Sequence, residues 1–350
     1  MEVDIFMPNA PRELLEKVEE IASKYAEETD KNNLAPSQAL NELVSAGAFR
    51  AGDLGPLGIV QVVRHVSRHS PGMAHIILVH STSVFTGRLE VDDGIVAFSM
   101  TEPGGGSDVL SNLKTIAEED GEKAVVSGEK LFTSNAPYAK YFLILAKGPG
   151  GPTLYLAEKD DSIYVEPLDL LGLRGTGSSR VVYRGTPAKR VGEPGKGLKE
   201  ALTGINMGRL GYAAIALGII DASLEIIIEH ASTKVIFGKK LIDYQGLRWR
   251  IAELFMEREA LEALVYSTAE KAESEGKIDP LKAAVAKNLG ASIAQRATWA
   301  ATQALGGRGL KRWSRIERLS RDARVLDIGE GSREVLLDFI ASRAIKGLTK

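Results

Sequence analysis

The feature that most limits how this 350-residue chain can fold is that its apolar pattern changes period twice. From residue 10 to about 90 the spacing is helical: Leu14, Leu15, Val18, Ile21 and Ala22 recur after Pro11, and a second patch runs through Leu40, Leu43 and Val44. From Ile95 to about Val191 the pattern becomes short apolar runs separated by Gly, Pro, Asp and Ser. Ile95–Phe98, Leu113–Ala117, Ala124–Val126, Tyr141–Leu145, Thr153–Ala157, Ile163–Val165 and Val181–Tyr183 read as strands of a small barrel or sandwich. From Gly197 onward helical spacing returns in long segments near 198–231, 244–275 and 279–305, followed by a shorter pair. Long antiparallel helices joined by short loops make a bundle. The expected fold class is therefore α+β multidomain. It comprises an all-α domain over 1–94, a β domain over 95–194 and a C-terminal four-helix bundle over 195–350.

Composition narrows the function classes. With 44 basic and 46 acidic residues the net charge is -2, which predicts neither nucleic-acid nor membrane-surface binding. No run is read as approaching the roughly 20 apolar residues of a bilayer span. The N-terminal Met-Glu-Val-Asp carries neither a basic nor an apolar leader region, so a cytoplasmic chain is expected. Zero cysteines exclude disulfides, thiolate nucleophiles and Cys-ligated metals. Eight Asn and five Gln are few labile residues, which fits a thermophile. His65 and His69 stand four apart on an expected helix without a third ligand at useful spacing, so no metal site is expected. Arg312, Arg315, Arg318, Arg321 and Arg324 recur every three residues with Glu317, Asp322 and Asp327 among them. They read as a salt-bridged interface face ahead of a phosphate-binding strip.

Four ordered segments carry the chemistry. Met100-Thr101-Glu102-Pro103-Gly104-Gly105-Gly106-Ser107-Asp108 ends a strand in a glycine-rich loop that exposes backbone N–H groups. Lys130-Leu131-Phe132-Thr133-Ser134-Asn135 puts hydroxyls at a strand–loop border, and Gln303-Ala304-Leu305-Gly306-Gly307-Arg308-Gly309 stops a helix at glycines. Ile328-Gly329-Glu330-Gly331-Ser332 isolates one carboxylate between two glycines. Taken alone, that last stretch is an ordinary interhelical turn. No Gly-x-Gly-x-x-Gly lies between a strand and a helix with the required acid beyond it, and no Walker-type loop is present, so a dinucleotide needs another mode of binding.

In this order the segments resemble the acyl-CoA dehydrogenase family of flavoproteins, whose usual first motif, Thr-Glu-Pro-Gly-Ala-Gly-Ser-Asp, differs here only by Gly105. Leu170–Thr176, Gly195–Gly197, Met207–Arg209 and Ile236–Lys239 with Gln245 extend the resemblance over about 95–345. It implies α,β-dehydrogenation of an acyl-CoA thioester, with Glu330 as the α-proton base and non-covalent FAD as hydride acceptor. It further implies that Met100, Thr101, Gly106, Ser107, Phe132 and Thr133 contact flavin. Lys234, Phe237, Gln245, Gln303, Gly306 and Gly307 would serve its pyrophosphate and adenosine half, across a homodimer or homotetramer interface. Arg209, Asn206, Ser107 and Gly329 are implied at the substrate, with electron-transfer flavoprotein as a possible acceptor partner.

Several departures bear on that reading. Lys234 replaces the usual Arg. Gly208 stands where some members carry the base, leaving Glu330 favoured. Leu131 replaces a common Trp, which keeps open an oxygen-using acyl-CoA oxidase or flavin monooxygenase of the same fold. The helical cap is shortened, with Phe85–Glu90 running almost directly into the Thr101 loop, which keeps open a non-catalytic member. Gly329 replaces a bulky residue, often Tyr. Together with the short cap it predicts a wider, wetter acyl cavity that tolerates branched or aromatic groups.

Overall fold

The computed structural model describes residues 10–91 and 93–348. Met1–Asp4, on which the expectation of a leaderless cytoplasmic chain rests, lies outside the described residues. The cap contains α1 (Arg12–Asn32), α2 (Ser37–Ala46), α3 (Ala51–Ser67) and α4 (Pro71–Gly87). Helix α1 starts after Pro11, buries Leu15, Val18, Ile21 and Ala22, and stops where Asn33 turns left-handed at φ 57°. Helix α3 is broken at Gly55 (φ 60°), because the ring of Pro56 disfavours a helical residue before it. Helix α4 is apolar and buried on nearly every side, since it packs on α3, α6, α1 and the first strand. Its end at Gly87 leads within a few residues to the sheet.

The middle region comprises β1 (Ile95–Ser99), the single-turn α5 (Val109–Asn112), β2 (Ile116–Asp120), β3 (Lys123–Thr133), β4 (Ala139–Gly148), β5 (Gly151–Glu158), β6 (Ile163–Pro167) and β7 (Ser179–Arg190). Strand β4 pairs in parallel with β1 and antiparallel with β5. The path β4–β2–β3–β7–β5 returns to β4, closing a barrel with β6 added on β7. Val126, Phe142, Ile144, Tyr155, Val181 and Tyr183 fill its core, whereas Val125 alternates outward. Strand β2 begins at Ile116, later than the expected Leu113. The N–H groups of Lys114 and Thr115 donate instead to the Glu102 carboxylate, at 2.7 and 3.0 Å, and so leave the ladder.

The C-terminal region is α6 (Gly197–Thr233), a hairpin of β8 (Val235–Ile236) and β9 (Lys239–Lys240), α7 (Gln245–Glu275), α8 (Pro280–Leu305), α9 (Arg315–Val325) and α10 (Arg333–Leu348). Helix α6 corrects the expectation that no segment approaches a membrane span, since by length and composition it passes that test. Its apolar stretch is 78% buried among α3, α4, α7 and α8, which is the burial of a core helix.

A buried ionic knot ties the three regions together. Asp30, at the end of α1 and 2% exposed, accepts both Arg321 NH groups at 3.0 and 2.6 Å, while its carbonyl accepts Arg174 Nε at 2.7 Å. Beside it Asp322 accepts the Leu173 N–H at 2.6 Å, and burial pushes its carboxyl up to about 7. The arginine strip belongs to this seam. Arg315 donates to the Arg68 carbonyl and pairs with Glu225, Arg318 donates to the His69 carbonyl, and Arg324 pairs with Asp327. His65 and His69 converge on Glu19, together with Arg68, and the two ring hydrogen bonds and the Arg68 charge hold that carboxyl well below the usual range.

Candidate active site

The loop after α9 is shaped to present one carboxylate. Ile328 and Gly329 N–H both donate to the Val325 carbonyl, turning the chain out of the helix. Glu330 follows at φ 57°, an uncommon conformation for a residue with a Cβ, and Gly331 at φ 103°. Such strain persists only where surroundings over-determine it, and here α8 does so. Lys287 Nζ donates to the Gly331 carbonyl at 2.7 Å, Asn288 Nδ2 to the Arg333 carbonyl at 3.2 Å, and Gln295 Nε2 to Asp327 at 2.7 Å. Lys287 and Asn288 are adjacent and Gln295 lies two turns further along α8, so this helix grips the loop at both ends. From α6, Arg209 Nε donates to the Glu330 carbonyl at 3.1 Å and its NH1 donates to Asn206 Oδ1 at 3.1 Å.

The Glu330 carboxylate lies on Gly208 of α6. A Cβ on residue 208 would sit 2.4 Å from Oε2, so only a glycine leaves the carboxylate its room. Burial pushes the Glu330 carboxyl up to about 7, against the pull of Arg209 and Lys287 toward the ionised form. Lys287, 1% exposed, is lowered to about 8 by burial, opposed by Asp327 and Glu330. A carboxyl that titrates near neutrality beside two cations suits proton abstraction better than an ordinary glutamate does. The Glu330 N–H donates to no partner among the described residues.

Lys287→Met is expected to shift the pH profile. A base must be ionised, so the rate falls as pH drops through its pKa. Removing the buried cation takes away support for the carboxylate, and the acid limb should move upward from about 7. A kcat/KM profile with its acid limb unchanged or moved downward would contradict this.

The remaining sequence-predicted residues form two further groups. Met100, Thr101, Gly106, Ser107, Phe132 and Thr133 gather at neighbouring strand ends, where Leu131 N–H donates to the Thr101 carbonyl at 2.9 Å. Beneath them the buried Lys130 donates to the Met100 carbonyl and to Glu102, so the glutamate of this motif is structural. Ser107 and Phe132 are exposed, and Phe132 is held at φ 56°. The Thr133 hydroxyl is buried and pairs with Ser99 at 3.1 Å. Lys234, Phe237 and Gln245 lie around the hairpin between α6 and α7, whereas Gln303, Gly306 and Gly307 lie at the end of α8. Phe237 is 97% exposed at φ 50°, with no ring contact among the described residues. That is the placement of a side chain made for a ligand or another copy.

Two site residues escaped the sequence reading. Lys287 interrupts the buried alanine face of α8, and that single cation in an apolar stripe was its signal. Tyr212 is hidden in the apolar run of α6, and it overturns the expectation for Gly329. A Cβ on residue 329 would lie 2.2 Å from the Tyr212 hydroxyl, so Tyr212 already fills the space expected to be open.

A cavity of about 940 Å³ lies at the start of α6, lined there by Lys196, Lys199, Thr203, Gly204 and Met207. Gly204 is one helical turn before Gly208, and Thr86 of α4 packs on it at the cavity wall. Arg88, Lys199 and Lys277 line it together with the carboxylates of Asp53, Glu122, Glu193, Glu200 and Glu273.

Comparison with known proteins gives a consistent match. The acyl-CoA dehydrogenase middle-domain model covers residues 97–186 and the C-terminal-domain model residues 195–345. A short-chain specific acyl-CoA dehydrogenase of Megasphaera elsdenii is 34% identical over 69% of this chain and 65% of its own length. A 3-(aryl)acrylate reductase of Clostridium sporogenes is 32% identical over 72% and 69%. The solved butyryl-CoA dehydrogenase of Megasphaera elsdenii superposes with a TM-score of 0.86 at 25% identity, over 99% of this chain and 100% of that one.

Proposed function

Because this chain belongs to the acyl-CoA dehydrogenase family, oxidoreductases acting on CH–CH groups, we propose that it dehydrogenates an acyl-CoA thioester with Glu330 as the α-proton base. The observation that carries this reading is the Glu330 carboxylate packed on Gly208, titrating near 7 and held through its own and its neighbour's carbonyl by Arg209 and Lys287.

A thioester α-proton is far less acidic than a carboxylic acid, so the base needs help. The Glu330 N–H supplies one donor to the thioester oxygen, worth about 3 kcal/mol in comparable oxyanion sites. The cavity beside Gly204 accepts the pantetheine and phosphate part, with Arg88, Lys199 and Lys277 as counter-charges. Asn206, already fixed by Arg209, keeps its amide N–H groups for the same arm.

FAD, when bound, supplies the acceptor for the β-hydrogen as hydride. The exposed Phe132 and Phe237 and the glycine-rich 100–107 loop fit such a group. Lys234, Gln245, Gln303, Gly306 and Gly307 serve its phosphate and adenosine half across a homodimer or homotetramer interface. Lacking cysteine, the chain has no thiol to link flavin covalently.

Electron-transfer flavoprotein is the proposed acceptor partner. Leu131, half-buried next to the exposed Phe132, supports the oxygen-using alternative, which fast reoxidation of the reduced protein by air would favour. The test of the main reading is enoyl-CoA formation by FAD-loaded protein with an artificial electron acceptor under anaerobic conditions. Product across a panel of acyl-CoAs supports it. A flavin-loaded protein that makes no enoyl-CoA from any of them would overturn it.

A further inference from the structure

Along α6 the site reads in order: the cavity runs beside residues 196–207, the Glu330 carboxylate lies on Gly208, and Tyr212 stands one turn further on the same face. A thioester whose CoA part fills the cavity and whose α-carbon meets Glu330 must send its acyl group onward, toward Tyr212. That direction is closed. The Tyr212 hydroxyl occupies the space of a Gly329 side chain, and one residue earlier Leu78 of α4 would lie 2.1 Å from a Cβ on Gly211.

The ring is fixed from behind as well as in front. Thr176 Oγ1 donates to the Leu173 carbonyl at 2.5 Å, which leaves it an acceptor for His75 Nδ1–H at 3.4 Å. His75 Nε2 is then the acceptor for the Tyr212 O–H at 3.3 Å. The two rings meet edge to face, 5.3 Å apart at 80°. Burial lowers His75 to about 4 and keeps it neutral, while burial and the neighbouring Glu330 hold Tyr212 far above its ordinary value, so it remains a phenol. The charged groups around Glu330 are Arg209 from α6 and Lys287 from α8, with Asp327 beside the latter, and none of them lies behind the ring.

We propose that Tyr212, braced by His75, is the specificity-determining wall of this site and restricts it to compact acyl groups, excluding long or bulky ones. This inference rests on the acyl-CoA reading and names the substrate class within it.

The test compares kcat/KM for butyryl-, octanoyl- and lauroyl-CoA in wild-type protein, Tyr212→Ala and Tyr212→Phe. Dissociation constants of the same thioesters are read by calorimetry on the Glu330→Gln background, where turnover does not intervene. Wild type should prefer butyryl-CoA over lauroyl-CoA by about 100-fold, since a misfit of one methylene alone gives about 10- to 200-fold. Tyr212→Ala should shift that preference toward the longer thioesters by about tenfold or more, in both kcat/KM and affinity. Tyr212→Phe keeps the ring and should keep the length preference. Tyr212→Val replaces Tyr212→Ala if the latter melts before assay, with the same expectation. Equal use of lauroyl- and butyryl-CoA by wild type, or an unchanged length profile in the small-residue variants, overturns the wall. Absence of turnover at every length instead overturns the acyl-CoA reading.

Discussion

Glu330→Gln is expected to reduce enoyl-CoA formation by more than about 10⁴-fold while leaving fold and flavin retention intact. Gln keeps the volume and one acceptor oxygen, and the Arg209 and Lys287 bonds go to backbone carbonyls that the substitution does not alter. General-base catalysis contributes about 10²–10⁴-fold. The loss should exceed that range, because the carboxylate is packed on Gly208 and water has little room to replace it. Glu334→Gln is the control: Glu334 is exposed in the first turn of α10 and should stay near wild-type activity. Steady-state assays of both variants decide the matter, and an inactive Glu334→Gln beside an active Glu330→Gln would reverse the assignment.

Asp30→Ala is expected to cost about 3–5 kcal/mol of stability, the range for removing one partner of a buried ion pair. Asp30 is 2% exposed, and its loss strands Arg321, whose remaining partners are Glu317 and the Leu171 carbonyl. It also loosens the contact of α1 with α9 and the 170–174 loop, which Arg174 completes through the Asp30 carbonyl. Glu20→Ala removes an exposed pair with Lys17 and should change stability by about 0–1 kcal/mol. Denaturant melts that show equal effects for the two substitutions would contradict the assigned weight of the knot.

Helices α6, α7 and α8 were legible to within one or two residues, because 26 to 37 residues of sustained period leave few alternatives. The cap was less legible: two apolar patches resolve into four helices, since the Asn33 and Gly47 ends and the Ser70 cap act at single residues. Strand β2 began late because a side chain, Glu102, claimed its first N–H groups. Glu330 could be singled out because glycines flank it and ordered motifs surround it. Tyr212 could not, since its meaning depends on being 2.2 Å from where a Gly329 side chain would begin, 117 positions along the chain. The Ser99 partner of Thr133 was hidden for the same reason: a strand-end hydroxyl points in or out by the register of β3, and here it meets Ser99.

The most direct test of Glu330 as the α-proton base is anaerobic rapid mixing of FAD-loaded protein with butyryl-CoA, followed in the visible flavin band, for wild type and Glu330→Gln side by side. The account predicts that the wild-type band bleaches, faster as pH rises through about 7, while Glu330→Gln binds the thioester and keeps its colour. Bleaching of Glu330→Gln at the wild-type rate, or a wild-type band untouched by bound butyryl-CoA, would contradict it.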